Sequence, residues 1–152
     1  MDPIVFRRLI PEDLEAFISL RIAQLREEGA REEIDLKPAL KDYYARHMAD
    51  GTFVSWVAVK DGRIVGTSGM SFVEKPPYYG CPSGRIGLLS GMYTAPELRR
   101  RGIGKELLLR VIREAEAHGC GAVQITASDM GTKLYESCGF EYNHNFMQYR
   151  IR

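Results

Sequence analysis

The residues with the most chemical content run from Thr94 through Ala95, Pro96, Glu97, Leu98, Arg99, Arg100, Arg101, Gly102, Ile103 and Gly104 to Lys105. A strand-like run ends at Thr94 and a helical periodicity begins at Ile103. Backbone N–H groups at such a junction have no intrahelical partners and point outward. The helix dipole adds the equivalent of about half a positive charge there. Gly102 and Gly104 remove the Cβ atoms that would hold an anion away from those amides. Arg99, Arg100, Arg101 and Lys105 surround them with full charges, and a diphosphate-bearing ligand suits the arrangement. Two familiar phosphate loops do not match. A Walker A loop needs Gly at position 99 and Ser or Thr at 106, where the chain has Arg99 and Glu106. A dinucleotide fingerprint needs a third glycine where Leu107 stands. The competing reading is a helix start with a solvated basic cluster.

The elements that must position this segment follow from periodicity. Residues 4–9 read as a short strand, and Pro11, Glu12 and Asp13 open a helix with acids in its first turn. Leu14, Phe17, Ile18, Ile22 and Leu25 carry its apolar face. A charged stretch over 26–35 precedes a second helix near 38–48. Residues 53–59 form a strand, and Asp61-Gly62 signals a hairpin into a strand over 64–73. The Pro- and Gly-rich 76–84 is a loop or ragged edge. A strand resumes over 85–94. Its apolar positions slip from Ile86 and Leu88 to Leu89 and Met92 around Gly91, which points to a bulge. Ile103, Leu107, Leu108, Val111, Ile112 and Ala115 share a helix face closed by His118-Gly119. A buried-type strand over 122–127, a short helix over 131–137 and one or two final strands within 140–151 complete the chain. That order implies an α/β fold with a mixed sheet and helices packed on it.

Composition narrows the function classes. The 152 residues suit one domain, 1–152. With 21 Lys+Arg against 20 Asp+Glu, the formal charge is +1, too balanced for a general nucleic-acid binder. At 45% hydrophobic and 27% charged residues, the chain has the composition of an ordinary globule. No apolar run approaches the ~18 residues of a membrane span. The opening Met1-Asp2-Pro3-Ile4 has no secretory pattern, so the expected location is cytoplasmic, without nucleic acid or membrane partners. Cys81, Cys120 and Cys138 are odd in number and widely spaced, and His47, His118 and His144 are not spaced as ligand pairs. Neither a disulfide framework nor a metal site is expected.

Arg99-x-x-Gly102-x-Gly104 after a strand, with Tyr135-Glu136-Ser137-Cys138-Gly139-Phe140 about thirty residues on, resembles the GNAT superfamily of N-acetyltransferases. The likeness is most specific from Leu89 to Phe140. It implies a mixed, mostly antiparallel sheet of six to seven strands flanked by about four helices. It also implies an acetyl-CoA-dependent transferase that needs no metal. Carried over, the amides from Arg99 to Lys105, Gly102, Ile103 and Gly104 included, hold the coenzyme A pyrophosphate. Met92, Tyr93 and Thr94 bond the pantetheine arm, and the Met92 amide faces the thioester oxygen. A fixed N–H at that place stabilises the negative charge that amine attack builds. For the cofactor to enter, the strand carrying Met92 must diverge from the one over 125–127. Tyr135 matches the superfamily's general acid. A phenol with a reference pKa of ~10 is protonated at neutral pH and can protonate the departing thiolate. Simple packing on an amphipathic helix is the alternative for Tyr135.

Two positions depart from the superfamily pattern. Many members carry Asn seven residues before the Tyr; here Ser128 stands there, as a cofactor-side hydrogen bond or a helix cap. Some members use a Glu four residues before the oxyanion amide as base; here that position is Leu88. The base is unassigned among Glu74, a water relay or an already neutral amine. Cys138, at a helix end, suits packing better than nucleophilic use. In the superfamily the acceptor cleft is lined by the segment between the first two helices and by residues 72–80. Glu27, Glu28, Glu32, Glu33 and Asp35 make the first of these acidic, which would attract a cationic amine; a solvated charged connector is the plainer reading. Tyr79, in Pro76-Pro77-Tyr78-Tyr79, is either part of an aromatic lip or an edge guard. The resemblance implies direct transfer to a primary amine of a small molecule or peptide. The rival from another class is a non-catalytic acyl-CoA-binding regulatory module. Homodimers are common among such proteins, and the C-terminal strand offers an interface.

Overall fold

Alternation along Trp56-Val57-Ala58-Val59 decides the layering, because successive strand side chains face opposite ways. Val57 and Val59 pack with Leu14, Phe17, Ile18 and Tyr44, whereas Trp56 and Ala58 pack with Ile103 and Leu107. The computed structural model describes residues 3–126, 131–143 and 146–151. Its elements are β1 (Val5–Arg8), α1 (Leu14–Glu27), α2 (Lys37–Asp50), β2 (Phe53–Val54), β3 (Trp56–Lys60), β4 (Arg63–Glu74), β5 (Arg85–Thr94), α3 (Ile103–Ala117), β6 (Ala122–Gln124) and α4 (Thr132–Ser137). The α1–α2 pair covers one sheet face and α3 the other. A 3₁₀ turn over Pro11–Asp13 precedes α1, so Pro11 opens the helix region one turn before the α-helix proper.

The strand order is β1-β3-β4-β5-β6, with β2 also paired to β4. Among the described residues only β5 and β6 run parallel. This mixed, mostly antiparallel sheet of six strands and four α-helices agrees with the expected fold class, at the lower strand number. The β3–β4 hairpin turns on Asp61 and Gly62, both at positive φ (53° and 72°), as a two-residue hairpin loop requires. Gly66 on β4 lets α3 approach: a Cβ there would lie 3.0 Å from Ile103 Cγ2 and 3.1 Å from Leu107 Cδ1. At its far end α3 closes where His118 stacks on Phe72, with ring centroids 3.7 Å apart.

Two expectations are corrected. The single strand over 53–59 is broken at Ser55. There the Ser68 hydroxyl accepts from the Trp56 N–H (3.1 Å) and donates to the Trp56 carbonyl (2.7 Å), replacing a ladder rung. The expected final strands within 140–151 do not form among the described residues. Tyr142, Phe146, Met147, Tyr149 and Ile151 are exposed instead. Loose alternation is insufficient without a partner, and the three-residue β6 offers little edge to pair with. The three cysteines are free, with Cys81 buried. Among the described residues, no helix is long and apolar enough to cross a membrane.

Met70, Leu89, Leu108 and Val111 form the centre of the α3-side core, and Leu108 is fully buried. Leu108→Ala is expected to destabilise the fold by about 2–5 kcal/mol, through lost burial and the cavity left behind. Urea unfolding of the two proteins measures this, and an unchanged midpoint would show that α3 is not seated as described.

Candidate active site

The site grows from a fault in the β4–β5 ladder. Thr67 pairs with Tyr93 and Gly69 with Ser90, so Gly91 and Met92 together oppose Ser68. Gly91 has φ +64°, the left-handed conformation of a bulge glycine. The bulge expected at Gly91 is therefore present. On the other side, β5 pairs with β6 only as far as Leu88 with Gln124. Past Leu88, β5 has no strand partner on that side among the described residues, and the sheet splits there as cofactor entry requires. Leu88 sits on the last shared rung, so no carboxylate occupies that position.

Strand alternation sets which backbone groups face the split. The Ala95 N–H donates to the Val65 carbonyl (2.8 Å), and Tyr93 pairs with Thr67. Tyr93 and Ala95 thus turn to β4, while Met92 and Thr94 turn the other way. Side chains arriving from outside the sheet agree with this. Gln24 Nε2 donates to the Met92 carbonyl (3.0 Å), and Arg99 Nε donates to the Thr94 carbonyl (2.8 Å). Both carbonyls of this edge are held, and the N–H groups of Met92 and Thr94 face the split alongside them.

Beyond β5 the chain makes a 3₁₀ turn over Pro96–Leu98 and then reaches α3. Arg100 (φ 65°) and Gly102 (φ 83°) are both left-handed, which curves successive N–H groups into an anion-binding concavity. The Glu106 N–H donates to the Gly102 carbonyl (3.1 Å), so the N–H groups of Ile103, Gly104 and Lys105 precede it without intrahelical partners. Gly104 lies between the ends of β5 and α4, its Cβ direction 3.9 Å from Thr94 Oγ1 and 3.4 Å from Leu134 Cδ2. The side chains divide the labour. Arg100, Arg101 and Lys105 are exposed around the turn, while Ile103 is buried as an anchor. Arg99 is committed elsewhere: it makes a bidentate ion pair with Glu27 (2.7 and 3.0 Å) and lies 5.3 Å over the Tyr93 ring. The guanidinium holds the Glu27 carboxyl below the usual carboxylate range, and Glu27 in turn raises Arg99. What residue 99 offers an anion is therefore backbone and proximity, not a free guanidinium.

Tyr135 on α4 is buried, its ring 5.6 Å from that of Phe140. A Cβ on Gly131 would approach the Tyr135 ring to 2.7 Å, so glycine there makes room for the phenol. Burial, with a smaller contribution from the Glu28 charge, pushes the Tyr135 phenol up to about 12. Glu28 is one helical turn beyond Gln24, which places the end of α1 over both Met92 and Tyr135. Gln24 is a site residue that the motif reading missed, and Glu27, expected on the acidic acceptor side, is instead taken up by Arg99. The available signal was Gln24 itself, a polar residue seven positions after Phe17 on the buried stripe of α1.

Not every expected residue converges here. Glu74 and its rung partner Arg85 lie seven residues from Met92 along β5, on the order of 20 Å away. Tyr79 projects from the loop beyond them and is fully exposed. The structure thus does not bring Glu74 or Tyr79 to the split, which removes Glu74 as a candidate base acting directly there. Glu32 is ion-paired with Arg26 (2.8 Å), and Glu33 is exposed beside it on the segment following α1. Ser128 lies outside the described residues.

The raised phenol has a consequence for stability. Burial holds the Tyr135 proton in the folded protein up to about 12, above the ordinary 10.0 of the unfolded chain. Stability from this group is therefore complete below pH 10 and declines as pH rises from about 10 to about 12. Buried Tyr44, also raised by burial, acts in the same direction. Urea midpoints across this range should fall more steeply for wild type than for Tyr135→Phe, and parallel curves would contradict the assignment.

Comparison with known proteins agrees with this geometry. Residues 14–140 match the acetyltransferase (GNAT) family model. The chain is 29% identical over 116 residues to aminoglycoside N(6')-acetyltransferase type 1 of Salmonella typhimurium, covering 70% of this chain and 79% of that protein. A predicted acetyltransferase from Clostridium acetobutylicum, solved with acetyl-CoA, superposes with a TM-score of 0.93 at 28% identity, covering 97% of this chain and 96% of that one. A GCN5-related N-acetyltransferase from Ralstonia eutropha gives 0.90 at 28% identity over 98% and 99% of the two chains. With a split sheet, a bulged edge and an amide-lined turn where such enzymes need them, the chain belongs to the GNAT acetyltransferase family and is an N-acetyltransferase.

Proposed function

We propose that this protein transfers an acetyl group from acetyl-CoA directly to the primary amine of a small cationic acceptor. The observation that carries the reading is the split between β5 and β6, bordered by the Met92 and Thr94 N–H groups and ending at the unpaired amides of α3. The amides of Ile103, Gly104 and Lys105, with the charges of Arg100, Arg101 and Lys105, would hold the pyrophosphate. Thr94 N–H would accompany the pantetheine arm. Met92 N–H would meet the carbonyl oxygen as negative charge develops on it. Tyr135, protonated across the working range, would give its proton to the leaving thiolate. A solved neighbour that holds acetyl-CoA supports the choice of donor.

Acceptor class is argued from charge. Glu28, whose charge reaches Tyr135, is followed along the exposed segment after α1 by Glu32, Glu33 and Asp35, a run of acids that would draw cations. An aminoglycoside acetyltransferase among the relatives supports a polycationic amine, and the chain's own acidic rim supports it independently.

Thiol release from acetyl-CoA over a panel of polyamines, aminoglycosides and peptides tests the reading. Turnover of at least one amine is expected, and acetyl-CoA binding with no turnover of any would return the chain to the acyl-CoA-binding alternative. Tyr135→Phe should lower kcat at least about tenfold with acetyl-CoA affinity within about twofold; unchanged turnover would remove Tyr135 from the mechanism. Replacing Glu32 and Glu33 by Gln should raise KM for multiply charged acceptors about threefold or more, with an effect that shrinks as salt is added. An unaltered KM would discard the rim.

A further inference from the structure

The bulge that frees Met92 also creates a difficulty. Gly91 lies in the bulge, outside the regular register, so regular pairing does not by itself fix the plane of the Gly91–Met92 peptide. The structure supplies a substitute. Buried Thr67, on β4, donates its hydroxyl to the Gly91 carbonyl at 2.7 Å. That carbonyl and the Met92 N–H belong to one planar trans peptide, so they point in opposite directions. Holding one aims the other. The next peptide is held from the opposite side: Gln24 Nε2 donates to the Met92 carbonyl, and Arg21 Nη1 donates to Gln24 Oε1 at 2.9 Å, which fixes the orientation of the amide.

We infer that Thr67 and Gln24 are positioning residues that lock the peptides flanking Met92 from the two sides of β5, and so aim the Met92 N–H into the split. This rests on the acetyl-transfer reading, in which that N–H receives the thioester oxygen. Neither residue touches the reacting atoms; both act through the backbone of Met92. A donor held at fixed orientation before the reaction needs no reorganisation as charge develops, and this is the source of its effect on rate. A hydroxyl bond inside a buried bulge suits the task, because no water competes for the Gly91 carbonyl.

The test compares wild type with Thr67→Val, Thr67→Ser and Gln24→Met. Calorimetry gives the affinities for acetyl-CoA and CoA, which differ by the group that the Met92 N–H contacts, and thiol release with an accepted amine gives kcat. Wild type should prefer acetyl-CoA over CoA. Thr67→Val, nearly equal in shape but without the hydroxyl, should lose most of that preference and about tenfold in kcat, with CoA affinity within about twofold. Thr67→Ser should retain both. Gln24→Met should lose preference in the same sense, and it carries the test if the valine variant does not fold. Preserved preference and kcat in Thr67→Val and Gln24→Met, or equal losses in Thr67→Ser, would overturn the inference. So would a wild type that binds the two ligands equally. A wild type that binds neither ligand would overturn the transferase reading together with it, whereas unchanged variants of a binding-competent wild type overturn the positioning role alone.

Discussion

A β-sheet satisfies its backbone by pairing, and this protein depends on the place where pairing is withheld. Along β5 the ladder to β4 is dislocated at Gly91, and the ladder to β6 ends at Leu88. The two interruptions fall within a few residues of each other, so one short length of strand has an irregular inner side and an open outer side. An edge of this kind is ordinarily a liability, since unpaired N–H and C=O groups invite another chain. Here both outward carbonyls are taken by side chains, Gln24 on Met92 and Arg99 on Thr94. What remains toward the opening is mainly donor character, which suits a ligand that brings carbonyl oxygens and phosphates.

The last turn of α1 organises that edge from outside the sheet. Gln24 reaches β5 directly, and Glu27 reaches it through Arg99, whose guanidinium lies over Tyr93 as well. The family's arginine position thus acts as a brace between a helix end and a strand end. What the turn has to offer an anion is its backbone, shaped by the left-handed Arg100 and Gly102. A chain of +1 net charge can hold a highly charged cofactor in this way, because oriented amides need no excess of basic residues.

Much of this was legible in the amino-acid order because the relevant signals are local. The Arg99–Lys105 junction, the slip of apolar phase around Gly91 and the Asp61-Gly62 turn each declare themselves within a few residues. The break at Ser55 was not legible, since it depends on the hydroxyl of Ser68, thirteen residues away across the hairpin. The lack of a final strand among the described residues was not legible either, because alternation announces a willingness to pair and says nothing of a free partner. The commitment of Arg99 to Glu27 spans 72 positions, and no spacing rule connects them. Glu74 and Tyr79 were attractive as residue types, but the antiparallel β4–β5 register sets Glu74 opposite Arg85, at the far end of β5 from Met92, with Tyr79 in the loop beyond.

Gly131 shows how narrowly the aromatic side of the pocket is fitted. A methyl group at that position would occupy space already taken by the Tyr135 ring. Any chain that replaces this glycine must seat its aromatic residue in another rotamer or start the last helix elsewhere. Two sites four residues apart are thereby tied in their evolution: one can change only when the other gives way.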